Sequence, residues 1–554
     1  MSRASSLDIA RRAKLQQVHA LAISNGLRVE EIEPYGNHKA KISLGVLDRY
    51  AQRPFSKLIC VTAMTPSAQG EGKTCVSIGL TDALALLKKK TMVCLRQPSF
   101  APLMGHKGGG TGGGRSQIGP PEDVNVHFTG DLHAVQSAHN LLAAAIDNHL
   151  YRGNRLGLDK AQVQWRRVLD IADRHLRSVQ TGLDLPESRR SRSGFDVVAS
   201  SEVMSALCLA TSIGSLRSKL NHLVVGCTRE KRAVTARDLQ ASGAMALLLR
   251  DAIKPNLVQT LEGQPALVHG GPFANISLGT SSVLSLQMAL KLSNYVVTEC
   301  GFGTEMGFER FINIVCRQGQ FRPQAVVIVV SARGIRSHSP EPESRKLLER
   351  YKEGFENLER HIRNVRRLGS EPIVAVNRFP EDTEEEVRSI GDWLRTVGVE
   401  HAICDPVGQG GRGCLELAEK VLKGLVDTPA HVKPVYAADL PVEEKIRRIA
   451  VELYGADDAV LQGKARSDLD LIKELRLDTL PVVIAKTPYS FSDEPTRKGA
   501  PSRWKLKVRG LRVCAGAGYV VALTGKVLLM PGLPEEPLYE RFDLADDGSA
   551  KGPF

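Results

Sequence analysis

Aromatic residues make up only 5% of the 554-residue chain. So few flat rings leave little on which to stack successive bases, and no nucleic-acid partner is expected. No run approaches the roughly 18 apolar residues that span a bilayer, so no membrane partner is expected either. The N-terminal segment is basic but has no apolar core, which argues against a secretory signal. The ten cysteines include no CxxC pair. Cys60, Cys94, Cys208, Cys300 and Cys404 sit inside apolar runs. They read as small buried hydrophobes in a reducing compartment, and a cytoplasmic location is expected. His106, His127 and His133 do not have zinc-site spacing, so no transition metal is assigned.

What remains is an ordinary globular composition, 42% hydrophobic and 24% charged, long enough for several domains. The formal net charge of +13 is spread along the chain. Its densest cluster, Arg189-Arg190-Ser191-Arg192, is short and lacks interleaved aromatics. Such a surplus suits small anionic substrates.

Apolar, β-branched runs recur at 58–62, 91–95, 222–226, 295–298, 325–331, 372–376, 481–485 and 519–523, with helical patterns between most of them. That alternation predicts an α/β fold with a mostly parallel sheet. Continuous runs such as Ala325-Val326-Val327-Ile328-Val329-Val330 fit strands covered on both faces. Three parts are expected. Residues 1–365 form a phosphate-loop nucleotide-binding and catalytic domain, 366–465 a second, smaller α/β domain, and 466–554 a C-terminal one.

The most informative stretch is Thr65-Pro66-Ser67-Ala68-Gln69-Gly70-Glu71-Gly72-Lys73-Thr74. It follows the apolar run Leu58–Val61 and precedes an apolar-periodic segment from Val76 to Leu84, the order strand, glycine loop, helix. Such a loop aims backbone N–H groups and a helix N-terminus at an anion. Lys73 would reach the outer phosphates, and the Thr74 hydroxyl would hold Mg²⁺. The match is incomplete, because Ser67 stands where a strict phosphate loop has its first glycine. Cys75, beside the loop, reads as packing rather than as a reactive thiol.

A second glycine-rich region, Gly105 to Gly114, follows the strand ending near Arg96. It precedes Glu122, Asp123, His127, Asp131 and His133. Glycine lets backbone approach a ligand closely. Arg96, at the C-terminal end of a strand, offers a planar fork to carboxylate or phosphate. Asp131 and His133 are candidates for orienting substrate or handling protons.

Taken together, these segments resemble the formate–tetrahydrofolate ligase family. The matching residues are Thr65-Pro66 with Gly70 to Thr74, Arg96-Gln97-Pro98-Ser99, Lys107-Gly108-Gly109 with Gly112 to Gly114, and Glu122-Asp123 with His127 to His133. Asp251 to Gly263, Gly271 to Ile276, Thr298 to Gly303, Ala485 to Thr487 and Met530 to Pro534 continue the series in order to the end of the chain. The resemblance implies ATP-dependent ligation of formate to N10 of tetrahydrofolate through formyl phosphate. It implies that Thr65, Gly70, Glu71, Gly72, Lys73, Thr74 and Cys75 surround the nucleotide, with Mg²⁺ on Thr74. It places formate and then formyl phosphate on Arg96, and Phe302 and Phe379 beside the pterin or adenine. Asp131 or His133 would take the proton that N10 releases. A homo-oligomer, typically a tetramer, and activation by a monovalent cation are further expectations from the family.

Two departures stand out. Family members usually carry tryptophan where this chain has Val407, and a His-Gly-Asn-Ser-Ser run where it has Leu278-Gly279-Thr280-Ser281-Ser282. They raise a second reading, a diverged nucleotide-binding paralogue without ligase activity.

Overall fold

The computed structural model describes residues 5–105, 109–187, 190–339, 349, 351–427, 430–525 and 527–554. Expectations resting on His106, Lys107, Gly108 and Arg189 lie outside the described residues.

Seven parallel strands form most of one large sheet, and five of them are apolar runs of the sequence, 58–62, 91–95, 295–298, 325–331 and 372–376; the runs at 222–226, 481–485 and 519–523 enter other sheets. In chain order the sheet contains β1 (Lys57–Ala63), β2 (Thr91–Leu95), β3 (Asn256–Thr260), β4 (Pro265–Val268), β5 (Tyr295–Glu299), β6 (Ala325–Val330), β7 (Pro372–Asn377) and β8 (His401–Cys404). Across the sheet the order is β3-β4-β2-β5-β1-β6-β7-β8, and every pairing from β4 to β8 is parallel. Beyond β3, which is antiparallel to β4, the strands Ala40–Ile42 and Ile32–Pro34 close that edge antiparallel. The expected α/β class with a mostly parallel sheet is what the chain forms.

Strand periodicity builds a core on each face. β1 sends Leu58 and Cys60 into one hydrophobic cluster and Ile59, Val61 and Ala63 into the other. The second cluster is completed by helix α1 (Lys73–Leu86), buried continuously from Val76 to Leu84. Such all-round burial explains why α1 shows no polar face in the sequence. β6, buried at every residue, sits next to β1 in the centre.

The expected boundary near 365 falls just before β7, and β7 and β8 extend the same sheet as β6. Toward the C-terminus a separate four-stranded sheet runs β9-β11-β12-β10. Its strands are β9 (Asp458–Leu461), β10 (Val482–Ala485), β11 (Lys505–Cys514) and β12 (Tyr519–Thr524). Among the described residues no helix is long and apolar enough to cross a membrane.

Candidate active site

The glycine loop leaves the C-terminal end of β1, where open parallel sheets bind ligands. Gly70 and Gly72 hold φ of 80° and 76°, a region open to glycine at little cost. Gly72 immediately precedes α1, so its turn aims the helix N-terminus back into the loop. A Cβ at Gly72 would run into the Asn377 amide and come within 3.3 Å of the Phe379 ring. The loop is thus pressed against the end of β7.

Several side chains brace the loop from beneath. Glu71 is fully buried, and its carboxylate accepts the Ser67 N–H at 2.7 Å and the Ser331 hydroxyl. Asn377 donates to the Glu71 carbonyl at 2.9 Å, and Arg333 to the Gly70 carbonyl at 2.6 Å. The Arg333 guanidinium also lies 3.5 Å over the Phe379 ring, a cation–π contact that fixes the ring's orientation. Thr65 is fully buried, and its N–H donates to His361 Nε2 at 2.7 Å. Thr65 and Glu71 therefore act as the loop's footing, with their side chains turned inward.

On the open side, Thr74 donates its hydroxyl to Glu299 Oε2 at 2.7 Å. Glu299 Oε1 lies 3.7 Å from the Arg96 guanidinium. β5, which ends at Glu299, is flanked by β1 and β2, so the sheet order itself joins the glycine loop to Arg96. After β5 the chain turns sharply through Gly301, Phe302 and Gly303. Phe302 holds φ 60° and is half-buried, a conformation rare for a bulky residue. A Cβ on Gly301 would stand 3.6 Å from Arg96 Nη1, so this loop borders the arginine. The desolvated Cys75 thiol is pushed up to about 11, with the Glu299 charge adding to the effect. A thiol raised this far keeps its proton at neutral pH, which suits packing better than nucleophilic chemistry.

Asp131 and His133 open helix α2 (Asp131–Tyr151). Asp131 is buried, and both its oxygens are taken: Lys41 Nζ donates to one at 2.7 Å, and the Asn256 amide to the other at 2.7 Å. His133, two residues on, is exposed. The intervening Leu132 faces Gly271, which packs on the carbonyl of Gln97 beside Arg96. The first turn of α2 thus borders the arginine side of the site.

Thr74 and Arg96 meet at Glu299; Lys73 precedes Thr74 in the first turn of α1, Phe302 sits on the loop that borders Arg96, and Phe379 lies against the loop at Gly72. Sequence reasoning gave no role to Glu299, Asn377 or His361. Glu299 closes an apolar strand, a weak signal by itself, because its nearness to the glycine loop comes from the pairing of β5 with β1. The two departures differ in setting. Val407 is half-buried just after β8, whereas Leu278 is wholly buried in the core.

As to known proteins, the family model described as formate–tetrahydrofolate ligase matches residues 4–554. Proteins named formate–tetrahydrofolate ligase from Staphylococcus aureus strains NCTC 8325, MSSA476 and Newman are each 44% identical over 558 residues, which takes in all of this chain and all of each relative.

Proposed function

This chain belongs to the formate–tetrahydrofolate ligase family, and from that premise we propose that it joins formate to N10 of tetrahydrofolate, consuming ATP and passing through formyl phosphate. The protein is an enzyme of the ligase class. The observation that carries the mechanistic reading is the shared carboxylate. Glu299 touches Thr74 at the start of α1 and faces Arg96, so a nucleotide loop and an anion fork open into one site.

The chemistry accounts for these parts. Formate is a poor electrophile because its charge is delocalised. Transfer of the γ-phosphoryl group to it gives formyl phosphate, whose phosphate is a good leaving group. N10, an aryl amine and already neutral, attacks the formyl carbon, and 10-formyltetrahydrofolate and phosphate remain beside ADP. The first step is phosphoryl transfer, governed by positioning and charge neutralisation. The amides of the 70–74 turn cradle the phosphates, and Lys73 reaches the transferred group. Arg96 holds formate and then formyl phosphate in its planar fork. The Thr74 hydroxyl and the Glu299 carboxylate are hard oxygen donors 2.7 Å apart, a set that fits Mg²⁺. When bound, that ion neutralises charge on the phosphates. With both oxygens of Asp131 occupied by Lys41 and Asn256, the proton from N10 passes to exposed His133, and Asp131 fixes the turn that carries it. The pterin lies between the sheet end at Phe379 and the loop carrying Phe302.

A non-catalytic nucleotide binder is the weaker reading, because Lys73, Thr74 and Arg96 are all in place within a full-length match. Purified protein supplied with ATP, formate and tetrahydrofolate should form 10-formyltetrahydrofolate. Lys73→Ala should lower kcat by roughly a hundredfold or more while leaving the far-UV spectrum unchanged. Full turnover by that variant would remove the glycine loop from the mechanism, and absence of product from the native protein with normal ATP binding would establish the paralogue.

A further inference from the structure

Glu299 closes β5 with only 6% of its surface exposed. Its carboxylate makes one firm hydrogen bond, from Thr74, and one looser ion pair, to Arg96 at 3.7 Å. The Arg96 Nε is buried without a hydrogen-bond partner, so this guanidinium is incompletely satisfied where it stands. A nearly buried carboxylate held by one hydroxyl and one long ion pair retains lone pairs for another cation. Both of its present partners are ones that the proposed reaction needs elsewhere. Thr74 is the hydroxyl assigned to the metal, and Arg96 is the fork assigned to formate.

Resting on the reading of residues 65–74 as the nucleotide site, we propose that Glu299 is a metal-site carboxylate that exchanges partners. Without nucleotide it occupies Thr74 and Arg96. With nucleotide and Mg²⁺ present it serves the metal, directly or through a coordinated water, and gives up Arg96 to the incoming anion. The exchange follows from charge. A divalent cation beside Thr74 attracts the carboxylate more strongly than a guanidinium 3.7 Å away does. Formate, itself an anion, competes poorly for an arginine still facing Glu299 and well for one that has been released. Phosphate-site charge and the formate fork are thereby coupled through one side chain, with no domain movement required.

Mn²⁺ binding, followed by electron paramagnetic resonance on the protein–ADP complex, tests this without turnover. Glu299→Gln keeps the size of the side chain and removes the charge. Its Mn²⁺ affinity should fall about tenfold or more, whereas its affinity for ADP in EDTA should not fall below that of the native protein, since a negative charge beside the phosphates has been removed. Glu299→Asp, charged but shorter, should fall between the two and guards against a folding artefact in the glutamine variant. Native-like Mn²⁺ affinity in Glu299→Gln, with ADP still bound, overturns the assignment and leaves the nucleotide reading intact. Failure of the native protein to bind ADP would take down both.

Discussion

Val407 is a small side chain in a tight place. Its carbonyl accepts the Arg115 N–H at 3.0 Å, so the hairpin of Gly112–Gly113 and Ser116–Gly119 is fastened across it. Gly114 turns there with φ 58°, and a Cβ at Gly114 would stand 2.6 Å from Val407 Cγ1. Phe379 follows β7 and Val407 follows β8, and these strands are parallel neighbours. Both residues therefore stand at the same end of the sheet. Valine offers a pterin little to stack on, and an aromatic pair contributes about 1 kcal/mol beyond simple burial. Val407→Trp should lower the KM for tetrahydrofolate about fivefold and leave kcat unchanged, since stacking of this kind binds substrate and transition state alike. Initial rates with tetrahydrofolate varied at saturating ATP and formate measure it, and an unchanged or raised KM would mean that the pterin does not use this position. Leu278 asks for no such experiment. It is fully buried, so exchanging it for a polar residue would disturb the core before it touched substrate.

At the scale of elements, one helix shows what a sequence reveals and what it conceals. In the sequence, residues 339–365 look like a linker entering an exposed charged helix, and one face of helix Lys352–Arg367 is so, with Arg363 and Arg366 paired to surface carboxylates. The other face buries Asn357, His361 and Asn364 beneath the glycine loop. His361 Nε2 accepts the Thr65 N–H at 2.7 Å, which leaves the ring proton on Nδ1 to be donated to Thr304 Oγ1 at 2.7 Å. The ring is held neutral, its pKa pushed well below the usual imidazole value by burial and by nearby His338, Lys486, Arg360 and Lys73. It ties the start of the loop to the segment after β5 that carries Phe302. His361→Ala removes the nearer acceptor of the buried Thr65 N–H, leaving only Asn357 Oδ1 at 3.3 Å, and takes away a partner of the Thr304 hydroxyl, a loss of roughly 1–3 kcal/mol. The variant should unfold at a lower urea concentration and show a raised KM for ATP, with partial recovery in His361→Gln, whose amide can both accept and donate. Native stability in the alanine variant would show that Asn357 alone satisfies the Thr65 N–H. The strands were legible because continuous Val and Ile runs mean parallel, two-faced burial, and the loop because Gly-Glu-Gly-Lys-Thr sits between strand and helix. Glu299 and His361 carried no comparable local pattern. Thr74 and Glu299 are 225 residues apart, and Thr65 and His361 are 296 apart, so only the order of strands across the sheet brings them together.

For the whole molecule, the C-terminal sheet is locked to the helices of the main sheet by a buried polar seam. Tyr519 on β12 donates to Ser205 at 2.8 Å, and Arg310 donates to the Ile484 carbonyl of β10 at 2.6 Å. Glu202, opening helix α3 (Glu202–Leu209), accepts the N–H groups of Gly516 and Ala517, at 2.8 and 3.2 Å, from the turn between β11 and β12. Burial pushes its carboxyl from 4.5 up to about 7, against the opposing pull of Arg512, the two amides and Lys219. Between those two pH values the folded protein keeps a proton that the unfolded chain has released. The stability Glu202 contributes is therefore complete below about pH 4.5 and lost as pH rises through about 7, a span on the order of 3 kcal/mol. Buried His139, lowered to about 3, and His269 and His338, each lowered to about 4, act in the opposite sense and cost stability as pH falls below 6.5. Those histidines are common to native protein and variant and cancel in a difference. Glu202→Gln preserves an oxygen acceptor for both amides and never ionises. Its apparent Tm should match the native value near pH 5 and exceed it by several degrees near pH 8, read by scanning both proteins across that range. A difference that stays constant with pH would mean that Arg512 holds Glu202 ionised throughout, making the seam a buried ion pair in place of a protonated acid.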